Sequence, residues 1–304
     1  MTYSIVARDP DTGDLGVAVQ SHYFGTGRVV TWAQAGVGAV ATQSIVEVSY
    51  GPHGLDRMRD GVPADAALAQ LVAVDPMEIV RQVAMVDANG VVGTHTGAGC
   101  VSRAGHRAGH QVSAQANMME RDTVWDAMID AYEGSTGHDL AERLLLALEA
   151  AETEGGDVRG KQSAALLVVS GPRSDAPWDQ RPVDLRVDDA QVPLAELRRL
   201  VGVNRAVARM SNVFNSGLLF TPVQAGSREL TGALADLEAA QLGLGDNREP
   251  SFWAAALLAK AGQIDEARHK LSFASQTNDR WPTFLHSVAA AGVLPSDNPL
   301  LTGA

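Results

Sequence analysis

The opening stretch "TYSIVARDPDTGDLGVAV" constrains this chain more than any other part of it. Residues 2–8 and 15–20 are short strand-forming runs, and the "DPDTGD" between them is a cluster of turn formers. The chain therefore begins with a β-hairpin, and its first sheet is antiparallel. "VVTWAQAGVGAVATQS" at 29–44 is rich in β-branched residues and glycine and is expected to supply two more strands. Helical spacing takes over from "YGPHGLDRMRDG", with Leu55 and Met58, then Ala67, Leu68 and Leu71 after the start signal at Pro63. "RQVAMVDANGVVGTHTG" at 81–97 reads as a second hairpin turning at Asn89 and Gly90. A helix near 122–132 and an amphipathic one at 139–154 follow, the second ended by the glycines of "GGDVRGKQ". "SAALLVV" at 163–169 is a buried strand, and "VDLRVDD" at 183–189 alternates as another. Strands, helices, strands, helices, strands is the order of a segregated α+β fold, not of the regular alternation in a doubly wound sheet.

From Pro193 the strands stop. "LAELRRLVGVNRAVARM" is helical, "TPVQAGS" at 221–227 is a linker, and the remainder is helical. The expected organisation is an α+β domain over 1–192, a helix and linker over 193–228, and a small all-helical region over 229–304. Within that region "SFWAAALLAKAGQIDEARHKLSFA" forms two helices about a turn at Gly262, and its "AKAGQIDEA" resembles one tetratricopeptide unit. A single such unit cannot bury its own apolar face, so a docking or dimer-forming role is expected, and with it a homo-oligomer. Phe252 and Trp253 on its apolar face read as core or interface anchors.

Charge excludes one class of partner. With 24 basic against 36 acidic residues the net charge is −12, and no Lys/Arg stripe of the kind that neutralises phosphates is present, so nucleic acid is not expected to bind. The longest apolar runs fall short of the ~20 residues that cross a bilayer, and the first residues lack the basic-then-apolar pattern of a secretory signal. No membrane partner is expected, and the one cysteine, Cys100, fits a reducing, cytoplasmic setting. No phosphate loop occurs and no cofactor is expected.

Thr2 is the sharpest chemical candidate. Its small side chain permits removal of Met1, which would give one residue both a hydroxyl nucleophile and a free α-amine to act as base. The amine's unperturbed pKa of ~7.7–8.0 suits general-base work near neutrality. The plain alternative is that threonine favours strands and the strand happens to come first. Asn117, between a strand and a helix in "SAQANMM", is placed to offer an amide to an oxyanion, or equally to cap the helix. Gln43 and Gln162 are polar residues whose amides line a cleft or satisfy nearby backbone. His95, Cys100, His106 and His110 in "HTGAGCVSRAGHRAGH" raise a zinc reading, but Gly105 and Gly109 argue against the helix that would align two of them. A glycine-rich loop is expected there, with no metal.

Six segments, "TYSIVARDPDTGDLGVAV", "AGVGAVATQS", "YGPHGLDRMRDG", "RQVAMVDANG", "GGDVRGKQSAALLVV" and "DLRVDD", together resemble the domain-of-unknown-function 1028 family, over roughly residues 2–190. Its members are grouped with N-terminal-nucleophile hydrolases. The tail, including "WPTFLHSVAAAGVLP", is similar to a small domain, named for peptidoglycan binding, that is attached to some relatives. The resemblance implies a four-layer αββα sandwich in which the first mature residue begins a central strand, and an amidohydrolase acting on a small amide through Thr2. Asp157 then stands where related hydrolases carry an acid that orients the nucleophile's amine, in a cluster with Arg159 and Ser163. Proteasome-like relatives use a lysine and an acid near the second and third strands. "VAVQSHYF" and "VVTWAQAG" contain neither, and His22 occupies the stretch where such a cation belongs. A non-catalytic member that binds a small metabolite or a protein partner is the alternative.

Overall fold

In the computed structural model, which describes residues 2–302 and every side chain of these but that of Pro177, the chain forms two compact units, residues 1–201 and 202–304. The first unit opens with β1 (Thr2–Arg8), β2 (Leu15–Ser21), the short α1 (Gly27–Val30), β3 (Thr31–Gln34) and β4 (Gly38–Ser44). Two helices follow, α2 (Tyr50–Arg59) and α3 (Ala64–Val72), then β5 (Arg81–Asp87), β6 (Val92–Thr96), β7 (Gly105–Gly109) and β8 (Val112–Asn117). The unit continues through α4 (Val124–Gly134), α5 (Leu140–Thr153), β9 (Ser163–Val169) and β10 (Val183–Val187) into α6 (Pro193–Asn215). Every strand pair is antiparallel. One sheet has six strands in the order β10-β9-β2-β1-β8-β7, and the other has four in the order β3-β4-β5-β6.

Side-chain packing follows the strand period of two. Tyr3, Ile5 and Ala7 of β1 pack with Met128, Ile129, Leu144 and Leu148 from α4 and α5. Val6, with Val17 and Val19 of β2, packs instead against Ala39, Ala41, Ala84 and Val86 of the four-stranded sheet. Val83 and Met85, on the other side of β5, meet Leu55, Met58, Leu68 and Leu71 of α2 and α3. The hairpin at the chain start is thus covered on both faces, so both of its strands are buried along nearly their whole length.

Local signals act as their chemistry requires. In the second hairpin Gly90 has φ +85°, but the strands stop at Asp87 and resume at Val92, so the connection is longer than an Asn-Gly pair. Asp87 organises it, its Oδ1 accepting from the N–H of Asn89 at 2.8 Å and of Val91 at 3.0 Å. Asp139 caps α5 by accepting from the Glu142 N–H at 2.9 Å. The stretch expected to be a glycine-rich loop differs: residues 105–109 form the edge strand β7. Glycine is used there because α4 lies close, and a Cβ on Gly105 would stand 2.6 Å from Trp125 Cζ2.

The second unit takes the rest of α6 with α7 (Arg228–Leu244), α8 (Glu249–Lys260), α9 (Ile264–Ser275) and α10 (Trp281–Ala290). Phe252 is fully buried at its centre, stacked on Trp281 with centroids 4.8 Å apart. The anchor expected from sequence is therefore a core residue. Among the described residues no helix is long and apolar enough to cross a membrane.

Buried phenols make the first unit sensitive to alkali. Burial, and then the Glu152 carboxylate beside it, hold the Tyr3 phenol well above its ordinary value of 10.0. Burial likewise pushes Tyr132 up to about 12. Both stay protonated in the fold while an unfolded chain ionises near pH ~10, so their contribution is whole below that pH and is lost as pH rises through the folded values. The Tyr132 hydroxyl has no hydrogen-bond partner among the described residues, and the Arg143 guanidinium lies over its ring at 3.9 Å. Tyr132→Phe keeps that ring contact, so its melting temperature should match the wild type near pH 7 and fall less between about pH 9 and 11. Thermal melts across that range test this, and an unchanged alkaline slope would count against it.

Candidate functional site

At one end of the first unit β1, β5 and β9 begin and β2, β4 and β8 end, which gathers residues distant in sequence. Register pairs Thr2 with Ser21 on one side and with Asn117 on the other. These three share with Ser4 and Val6 the face turned to the second sheet. Thr2 is 6% exposed, and its Oγ1 lies 3.0 Å from Ser21 Oγ. Met1, on whose removal the free amine depends, lies outside the described residues.

Further from this end the layer between the sheets is apolar. Around Thr2 it becomes a network of buried amides. Gln43 Nε2 donates to the Thr2 carbonyl at 3.1 Å and to Gln82 Oε1 at 2.8 Å, while its Oε1 accepts from Ser4 Oγ at 2.7 Å. Gln115 Nε2 donates to Ser4 Oγ at 3.2 Å and to the Ala41 carbonyl at 3.0 Å. Asn117 Nδ2 donates to Gln82 Oε1 at 2.8 Å. Gln82, Gln115 and Asn117 are each fully buried. Most of these polar atoms find partners across the two sheets, which ties the sheets in one register; Gln115 Oε1 and Asn117 Oδ1 do not.

Asp157 stands beside this end on the loop between α5 and β9. The glycines that end α5 deliver it: Gly155 and Gly156 both have positive φ, and the Gly156 N–H returns to the Ala151 carbonyl at 3.0 Å. The Asp157 carboxylate is fully buried. It accepts from the His22 N–H at 3.1 Å, the Arg159 N–H at 2.9 Å and Arg159 Nη2 at 3.2 Å. His22 directly follows Ser21, so Asp157 fixes the end of β2 that carries the partner of Thr2.

The other expected residues are placed differently. His22 enters this cluster through its backbone, and the residue is exposed. Ser163 does not join Asp157; its hydroxyl donates to the Tyr23 carbonyl and accepts from the Thr26 N–H at 3.1 Å, holding the loop after β2. Gln162 is half-buried and its Nε2 turns to Asp189 Oδ1 at 3.2 Å, away from the amide network. Asn117 is the last residue of β8, not a helix cap, and its amide nitrogen is engaged by Gln82. An oxyanion would therefore draw on backbone N–H groups before this amide. Lys161 pairs with Glu152 at 2.7 Å, and Glu152 accepts from the Tyr3 hydroxyl at 2.6 Å on the helix-covered side of β1. The histidines bind separate partners: His95 Nε2 lies 2.9 Å from the Glu78 carbonyl, and His106 Nδ1 is 2.8 Å from Thr96 Oγ1. Among the described residues no three His, Cys, Asp or Glu side chains come together as a metal site.

Gln82 and Gln115 escaped the sequence reading. Each is an amide inside a strand rich in small or apolar residues, "RQVAMVD" and "SAQAN", as Gln43 is in "AVATQS".

The sequence model of a family described as a family of unknown function, DUF1028, matches residues 2–197. The chain belongs to that family. A solved DUF1028 structure, protein SPO2555 from Silicibacter pomeroyi, is similar to it at 30% identity with a TM-score of 0.59, the match covering 66% of this chain and 84% of that one. No curated protein matches this DUF1028 chain. The family match, over residues 2–197, takes in both sheets and the residues around Thr2.

Proposed function

We propose that this DUF1028 protein is an amidohydrolase of the N-terminal-nucleophile type, built on a four-layer αββα sandwich, in which Thr2 attacks a small amide once Met1 has been removed. The observation that carries the reading is the place of Thr2: directly after Met1, first in a central strand, its Oγ1 paired with Ser21 Oγ at the end of the inter-sheet layer. Helices packed on the outer side of each sheet support the layered architecture.

In the proposed reaction the Thr2 α-amine takes the proton from Oγ1 as that oxygen bonds to the substrate carbonyl carbon. The tetrahedral oxyanion is met by backbone N–H groups. The C–N bond then breaks, the leaving amine carries away the proton held by the α-ammonium, and an acyl ester remains on Oγ1. Water, deprotonated by the same amine, hydrolyses that ester and restores the hydroxyl. Asp157 serves by holding the His22 and Ser21 backbone against which Thr2 is set.

Intact-mass measurement of untagged protein comes first, because a retained Met1 would leave no base and end this reading. With Met1 absent, incubation with β-butyrolactone should add one whole lactone to Thr2: Oγ1 bonds the carbonyl carbon, the ring C–O bond breaks, and the displaced proton ends on the released hydroxyl. An unmodified Thr2 would instead favour the non-catalytic reading, in which the same end of the sandwich binds a metabolite or partner.

We also propose self-association through the helical unit. Leu242, 84% exposed, and Phe273, 39% exposed, line an apolar groove of about 810 Å³ there with Leu234 and Leu258.

A further inference from the structure

Gln82 joins both halves of the amide network. Its Oε1 accepts from Gln43 and from Asn117, each at 2.8 Å. Its Nε2 faces only acceptors: the carbonyls of Ala116 at 2.9 Å and Gly105 at 3.1 Å, and Thr96 Oγ1 at 3.0 Å. A side-chain amide can meet that set in one orientation, since turning it over would set two donors against Nε2 and three oxygens against Oε1. The orientation of Gln82 then dictates that of Asn117, with Nδ2 toward Gln82 and Oδ1 turned away.

Two amide oxygens of this network have no donor among the described residues, Gln115 Oε1 and Asn117 Oδ1, and the second belongs to the register partner of Thr2. Asn117 is fully buried, and among the described residues nothing donates to its Oδ1. Leaving a buried acceptor without a donor is costly, which argues for a partner in the working protein. Asn117 is the register partner of Thr2, and paired residues point to the same face of a sheet. Removal of Met1 generates new N–H donors on that very residue.

We propose that Gln82 is a positioning residue: it locks Asn117 so that Oδ1 accepts an N–H of the Thr2 α-amine, and through Gln43 it fixes the Thr2 carbonyl. This rests on the reading of Thr2 as an N-terminal nucleophile. A freely turning amine points its lone pair at Oγ1 only part of the time; one held at an N–H and braced through its own carbonyl stays aimed. Gln82 does this without touching substrate.

The test is the rate at which β-butyrolactone acylates Thr2, followed by mass of the N-terminal peptide in the full chain. Gln82→Leu removes the acceptor for both amides and is expected to slow acylation by roughly 10²-fold. Gln82→Glu, protonated in this buried setting, can still accept from Gln43 and Asn117 and should restore the rate to within about threefold of wild type. Asn117→Asp sets a carboxyl group beside the amine, which when ionised favours the ammonium form, so the acid limb of the rate–pH profile should move to higher pH. The titratable side chains toward that end include Asp157, Arg159, His22, Arg81 at the start of β5 and His106, which bonds Thr96 Oγ1 beside Gln82, with Tyr3 and Glu152 on the opposite face of the sheet, and none is replaced in these variants. A Gln82→Leu protein acylated at the wild-type rate overturns the inference, as does an Asn117→Asp profile that stays in place. Should Gln82→Leu fail to fold, the Glu and Asp variants decide. Failure of the underlying reading looks different: wild-type protein lacking Met1 would itself go unacylated.

Discussion

Thr2→Ala is expected to abolish acylation by β-butyrolactone and to lower turnover of any amide substrate by at least ~10³-fold, with the fold intact. Alanine at position 2 is as permissive for methionine removal as threonine, so the variant keeps a free α-amine and loses only the nucleophile and its methyl group. The structural cost is small. One hydroxyl pair at 3.0 Å, with Ser21, is broken at about 1 kcal/mol, and loss of the buried methyl adds about 0.8 kcal/mol. For a unit of this size that lowers the melting temperature by roughly 4–8 °C, which circular dichroism separates cleanly from unfolding. Thr2→Ser keeps the hydroxyl and should remain reactive. Undiminished amide turnover by Thr2→Ala would remove Thr2 from the chemistry whatever its position in the strand.

The chain order of strands and helices was legible because each boundary carries local chemistry: "DPDTGD" between β1 and β2, the two glycines after α5, Pro63 before α3. Which face of β1 meets which layer was not legible. Residues 2–7 are all buried, Thr2 and Ser4 included, so burial runs along both sides of the strand and hydropathy does not say which side meets which layer. The edge strand β7 was missed for the reverse reason. Its glycines, which read as a loop, make room for Trp125 and Glu133 of α4, a contact between elements that no local rule contains.

The site divides in the same way. Thr2, Asn117, Gln43 and Asp157 were visible as single residues, but their partnerships were not. Gln82 lies 39 residues from Gln43 and 35 from Asn117, and three strands from two sheets must assemble before the three amides meet. Spacing along one strand cannot encode that. Neighbours in sequence also misled, since Asp157, Gln162 and Ser163 lie within one short stretch yet bond to three different places. Asp157 turns to the His22 backbone, Gln162 to Asp189 and Ser163 to the loop at Tyr23 and Thr26. The turn between Asp157 and β9 separates them.

Asp157→Ala is expected to cost about 2–4 kcal/mol and, through misplacement of Ser21 and Thr2, to slow Thr2 acylation by roughly 10²-fold. The carboxylate is fully buried while the Arg159 side chain is 35% exposed, so the pair is not a free-standing surface ion pair. Much of the cost comes from two backbone N–H groups, of His22 and Arg159, that lose their acceptor. Such a loss lowers the melting temperature by roughly 4–16 °C. Asp157→Asn distinguishes scaffold from charge. Its single carbonyl oxygen can accept from the His22 N–H as Oδ2 does now, so if Asp157 acts by holding the end of β2, most of the reactivity should return. If the negative charge itself acts on the Thr2 amine, the Asn variant would be as slow as the Ala variant and would shift the pH profile besides. Melts and acylation rates on the two proteins decide between these, and an Ala variant that matches wild type in both would leave Asp157 with no part in the site.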